Sequence, residues 1–172
     1  MDERFGHRDT DMFSEPTAVY EKRLSQPAPP FNAAALGVFR RNLRSMIDLC
    51  RGEGIGLVVV TWPSVIGRDL PKGAPILMLP SLRIWNLPVT AYREWIGRYL
   101  TAIREVASAQ RADLLDLALT FEGLEEKERH FTDAYHLSGS GNRIVAGELA
   151  RLLPSLFARM KTRMSQGPRA AF

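Results

Sequence analysis

"GIGLVVVTWP", Gly54 to Pro63, carries the reading of the fold. Leu57 to Thr61 is short, continuous and β-branched, and turn residues bound it on both sides. That pattern describes a strand buried on both faces, as in a parallel sheet. Trp62-Pro63 stops it, because proline cannot donate to a ladder. Upstream, residues 32–53 place Leu36, Phe39, Leu43, Met46, Ile47 and Cys50 at steps of three and four, an amphipathic helix with Asn32 as its N-cap. The glycines of "GEGIG" end that helix.

The same alternation continues downstream. Residues 90–109 read as a second helix, with Tyr92, Ile96, Tyr99, Leu100, Ile103 and Val106 as its stripe and Thr90 as its cap. "ADLLDLA", Ala112 to Ala118, reads as a second strand. Residues 119–132 read as a polar loop whose acidic run, "EGLEEKE", faces solvent. A final helix is expected from Ser138 or Ser140 to about Met160, with Val145, Leu149, Leu152 and Leu156 on one face, supported by Phe157 and Met160. Helix, strand, helix, strand, helix predicts an α/β fold with parallel strands. Residues 64–88 form a long connection whose apolar "ILMLPSLRIWNLP" is suited equally to cover a pocket or to pack on the core. Residues 1–30 are irregular, 31–160 form the domain, and 161–172 form a basic, flexible tail.

Composition narrows the function classes. Hydrophobic residues make up 45% of the 172-residue chain, enough for one domain with a core. No apolar run reaches the roughly 18 residues that span a bilayer, and the N-terminus has no apolar signal core. A cytoplasmic protein with no membrane partner is expected. Cys50 is the only cysteine, so no internal disulfide forms, and its helical spacing suits an inert buried thiol. The net charge of +4 is matched by Arg159, Lys161, Arg163 and Arg169 near the C-terminus. The body of the chain is near neutral, which argues against a nucleic-acid partner.

"FTDAYHLSGSGNRIVAGELARLL", Phe131 to Leu153, holds the chemistry. Asp133 stands three residues before His136 in a turn that leads into a helix. A carboxylate on Nδ1–H fixes an imidazole's tautomer and orientation, and so prepares it as a general base. A turn-capping Asp133 with a locally bonded His136 is the structural alternative. His130, Asp133 and His136, spaced by three and three, are the alternative metal set. Ser138 and Ser140 read as helix caps, and Ser64 follows the first strand without a glycine-rich elbow.

This block resembles the closing block of the SGNH hydrolases, the GDSL esterase/lipase family. "FRRNLRSMIDLCRGEGIGLVVVTWP" is similar to that family's helix and fourth strand, and "ADLLDLA" to its fifth. The resemblance runs over roughly residues 31–157. It implies a three-layer α/β/α domain of flavodoxin-like type that hydrolyses carboxylic esters or transfers acyl groups. It implies His136 as general base, Asp133 as its orienting partner, a small ester or acylated substrate, and no cofactor. The family's nucleophile lies in a Gly-Asp-Ser block, and this sequence contains none. The nearest match to the family's third block is Gly6-His7-Arg8-Asp9, with arginine in the asparagine's place. The resemblance therefore implies a domain incomplete at its N-terminus, whose bare sheet edge predicts one of three states: self-association, docking with a missing half, or marginal stability. An inactive remnant or interaction module is the alternative.

Overall fold

The computed structural model describes residues 29–67 and 88–165, the last four of these as backbone only. Gly6 to Asp9 and most of the 64–88 connection lie outside the described residues. The elements are α1 (Ala33–Gly52), β1 (Val58–Val60), α2 (Val89–Ala109), β2 (Asp113–Leu115), α3 (Leu117–Glu122), a 3-10 turn (Lys127–His130) and α4 (Gly139–Ser165).

The expected helix, strand, helix, strand, helix are present in that order, with α3 and the 3-10 turn added before α4, but the architecture differs. Helix takes up 65% and strand 7% of the structure, and the sheet has two strands. This is not the expected three-layer α/β/α fold of SGNH type. The two strands do run parallel, Val58 opposite Asp113 and Val60 opposite Leu115. Their shortness has local causes. Past β1, Thr61 still donates its N–H to Leu115 O at 3.1 Å, and Trp62-Pro63 then ends the pairing. Past β2, Asp116 leaves the strand to cap α3. The expected strand Ala112–Ala118 is thus three residues long, and its last two residues begin a helix.

Asp116 ties the two strand ends together. Its Oδ1 accepts from Leu119 N at 3.2 Å and from Thr61 Oγ1 at 2.7 Å. Arg104 of α2 grips the same carboxylate through Nε at 2.7 Å and Nη2 at 3.0 Å. Thr61 Oγ1 in turn accepts from Ala118 N at 2.9 Å. The bond from Arg104 holds the Asp116 carboxyl below its ordinary 3.8; burial opposes the shift, and the Thr61 and Leu119 bonds add to it. A depressed carboxyl stabilises the fold above 3.8 and loses that contribution as pH falls through the folded value. Asp116→Asn is therefore expected to be less stable than the parent at neutral pH, and the gap should close in acid. Denaturant midpoints across a pH series read this directly; a gap constant with pH would contradict it.

Two apolar clusters flank the strand pair. Ile47 of α1, Val59 of β1, and Val106 and Ala107 of α2 form one, with Leu43, Leu57, Ile103 and Leu114 against it. The other gathers Val65, Tyr92, Leu115, Phe121, Phe131 and Ala134, with Ile144, Val145, Leu149 and Leu152 of α4 packed on it. Burial covers only part of β1: Val59 is buried, whereas Val60 is 43% exposed. The expectation of a strand buried on both faces is corrected here.

Helix boundaries follow local chemistry. Asn32 Oδ1 accepts from Ala35 N at 3.0 Å, so the expected cap of α1 is present. Gly54, at φ 67, takes the left-handed position just beyond the helix. Met46 of the expected apolar face is exposed, because Leu43 and Ile47 alone meet the strand cluster. α2 starts one residue before Thr90, with Pro88 as its N-cap and no side-chain cap. Residues 119–132 are not a polar loop. α3 buries Phe121 completely, and Lys127 is buried with Nζ 3.0 Å from Glu122 Oε2. The stretch reads as polar because its helix is six residues long, too short to display a period. α4 passes the expected end at residue 160, and Phe157 on it is exposed. Among the described residues, no helix is long and apolar enough to cross a membrane.

Candidate active site

The Asp133–His136 loop is closed at its base before its side chains take part. Phe131 and Leu137 form an antiparallel bridge, Thr132 N donates to His136 O at 2.8 Å, and Ser138 N donates to His130 O at 2.9 Å. Ser138 Oγ and Ser140 Oγ both donate to Arg129 O, at 3.1 and 3.2 Å, and Ser140 Oγ lies 3.0 Å from His130 Nδ1. Gly141 N approaches Ser138 Oγ at 3.3 Å, so Ser138 caps α4 as its sequence position suggests. The loop's tip is held from the other side. Ala134 is fully buried, and its carbonyl accepts from Val65 N at 3.0 Å and from Ser64 Oγ at 2.8 Å.

Within this frame Asp133 has two jobs. Its Oδ1 accepts from the backbone N–H of Tyr135 at 3.0 Å and of His136 at 2.8 Å, an Asx turn. Its Oδ2 lies 2.5 Å from His136 Nδ1. Burial pushes the Asp133 carboxyl up, but the His136 bond and the two backbone N–H bonds outweigh it and leave it below 3.8. An ionised carboxylate can only accept, so the imidazole carries its proton on Nδ1. When the ring is neutral, Nε2 presents a lone pair. The His136 side chain is 64% exposed, against 30% for Asp133. One carboxylate oxygen thus holds the turn and the other holds the ring.

The exposed ring edges a groove of about 330 Å³ lined by Val60, Thr61, Trp62, Pro63, Tyr135, His136, Leu137 and Asn142. Half of this wall is the segment immediately following the first two residues of β1, so His136 stands at the carboxyl end of that strand. Two other depressions, of about 370 and 380 Å³, contain neither Asp133 nor His136 in their walls.

No family model matches the chain, and no curated protein matches it.

The site's composition separates the sequence-based candidates. Among the described residues no hydroxyl or thiol hydrogen-bonds to the His136 ring, and nothing bonds to Nε2; the Thr132 hydroxyl reaches only the His136 carbonyl, at 3.3 Å. Thr61 is buried with its hydroxyl on Asp116, and Ser64 spends its hydroxyl on Ala134 O while accepting from Ile66 N at 3.1 Å. The metal set does not assemble: among the described residues no three His, Cys, Asp or Glu side chains are placed to hold an ion. The reason is the loop closure, which turns the His130 ring to Ser140 and against Phe121. Sequence reasoning missed Trp62 and Tyr135 as walls of the site. The available signal was the Trp-Pro stop directly after β1, which read only as punctuation.

Proposed function

We propose that this chain supplies the general base of a carboxylic ester hydrolase, with His136 as the base and Asp133 as its orienting partner. The observation that carries this is the Asp133–His136 contact at 2.5 Å with the ring open to the groove. The resemblance of residues 131–153 to the closing block of SGNH hydrolases supports the same roles.

In this reading Nε2 takes the proton of a serine hydroxyl as its oxygen bonds to the ester carbonyl carbon. The C–O bond to the leaving alcohol then breaks, and Nε2–H returns the proton to that oxygen. Water repeats the cycle on the acyl-serine and releases the acid. The attacking serine comes from outside the described residues. Acyl transfer to another alcohol uses the same steps with that alcohol in place of water.

A second reading, an inactive frame that serves in binding, draws support from one observation. The hydroxyls of Thr61, in the groove wall, and of Ser64, next in sequence to it, are both engaged elsewhere. A fluorophosphonate probe separates the two. The hydrolase reading expects labelling of a single serine, identified by peptide mass spectrometry and absent in His136→Ala. An unlabelled chain would remove the hydrolase reading in favour of the second.

A further inference from the structure

Trp62 is 61% exposed, although tryptophan is highly buried on average. Its one polar atom is occupied, with Nε1–H donating to Tyr135 O at 3.4 Å. What remains open is apolar ring surface. Tyr135 stands edge-on to it, centroids 6.3 Å apart at 80°, and packs in turn against His136 at 4.7 Å. Three rings therefore run in sequence along the groove and end at the base. Val60, Pro63 and Leu137 complete a mainly apolar wall.

We propose that this groove binds the uncharged aryl group of an ester substrate, with Trp62 as the face on which that group stacks. The inference rests on the ester-hydrolase reading for its reaction, but the binding it describes can be measured without any reaction. Charge selects the ligand's class. Among the described residues, His136 is the only ionisable one in the wall besides Tyr135, and the Asp133 carboxylate lies directly behind it. A ligand carrying its own carboxylate meets that charge, and the described wall holds no Lys or Arg to offset it. Size selects a small molecule: about 330 Å³ falls at the lower end of the roughly 300–1,000 Å³ usual for small-ligand sites. Aromatic stacking that excludes water from Trp62 supplies the attraction.

The test uses the whole chain and two matched amides that do not turn over. 4-Nitroacetanilide is the amide counterpart of p-nitrophenyl acetate; 4-acetamidobenzoate replaces its nitro group with a carboxylate. Titration is followed by amide and indole NMR signals. The proposal expects 4-nitroacetanilide to shift the Trp62 indole N–H and the backbone signals of Tyr135, His136 and Leu137. It expects Trp62→Ala to weaken binding about three- to tenfold, and 4-acetamidobenzoate to bind more weakly than its neutral counterpart. Exposure of Trp62 leaves the fold of that variant intact. Unshifted Trp62, unchanged affinity in Trp62→Ala, or equal binding of the carboxylate each overturns it. So does a Trp62 signal that moves with protein concentration alone, which would assign the groove to a second copy. Groove binding without His136-dependent ester turnover would sink the hydrolase reading and leave the groove; turnover without groove binding would do the reverse.

Discussion

His136→Ala is expected to lower p-nitrophenyl acetate hydrolysis by roughly a thousandfold or more, to the level of buffer, because the proton acceptor is gone. The fold should not notice. The side chain is 64% exposed, and Asp133 keeps both backbone bonds that shape the turn. Stability should stay within about 1 kcal/mol of the parent, the usual range for surface changes. The partner variant sharpens the point. In Asp133→Asn the Asn oxygen can still accept from Tyr135 N and His136 N. Its amide group then faces Nδ1 as a donor and calls for the tautomer protonated on Nε2. That form has no lone pair on Nε2 to take the serine proton, so a loss of about a hundred- to ten-thousandfold is expected without unfolding. Parent-like turnover in both variants would remove His136 from the reaction.

Among the described glycines, Gly141→Ala is expected to be the most damaging, because there the added methyl meets backbone at its nearest contact. A Cβ at Gly141 would stand 2.2 Å from His130 O and 3.0 Å from Leu137 Cδ2. The nearer atom is backbone, and it is already held by Ser138 N at 2.9 Å. Neither side can give without opening the base of the Asp133–His136 loop. A cost of about 2–3 kcal/mol is expected, the upper part of the range for overpacked sites, together with loss of the dyad geometry. For a chain of this size that is a fall in melting temperature of roughly 4–12 °C. Gly147→Ala is the control. It lies in the same helix with nothing within 4 Å of the added carbon, and should stabilise by about 0.5–1 kcal/mol. Equal melting temperatures for the two variants would contradict the close approach.

The sequence announces parts of this structure through local signals strong enough to act alone. Asn32 caps α1 as its position implies, and the β-branched run at Val58–Val60 forms a strand. Asp133 and His136 meet because three residues of separation in a turn leave them little choice. What stayed hidden depends on partners distant in sequence. Asp116 reads as an interior residue of a strand, yet Arg104 and Thr61 make it the end of one. Phe121 and Lys127 read as parts of a wet loop, yet the core closes over both. The expectation of a three-layer sandwich extrapolated from element order, and order alone does not set how long each strand runs. For the site, the dyad was legible and its walls were not. Trp62 lines the groove because Tyr135, seventy-three positions later, comes to stand beside it.

The central claim is that Asp133 holds His136 with its proton on Nδ1 and a free lone pair on Nε2. Nitrogen-15 NMR of the labelled imidazole, recorded with the ring neutral, tests it most directly. The account predicts a protonated, pyrrole-type Nδ1 signal and an unprotonated, pyridine-type Nε2 signal, with the pattern lost in Asp133→Asn. A proton found on Nε2, or signals averaged between the two tautomers as in free histidine, would contradict it.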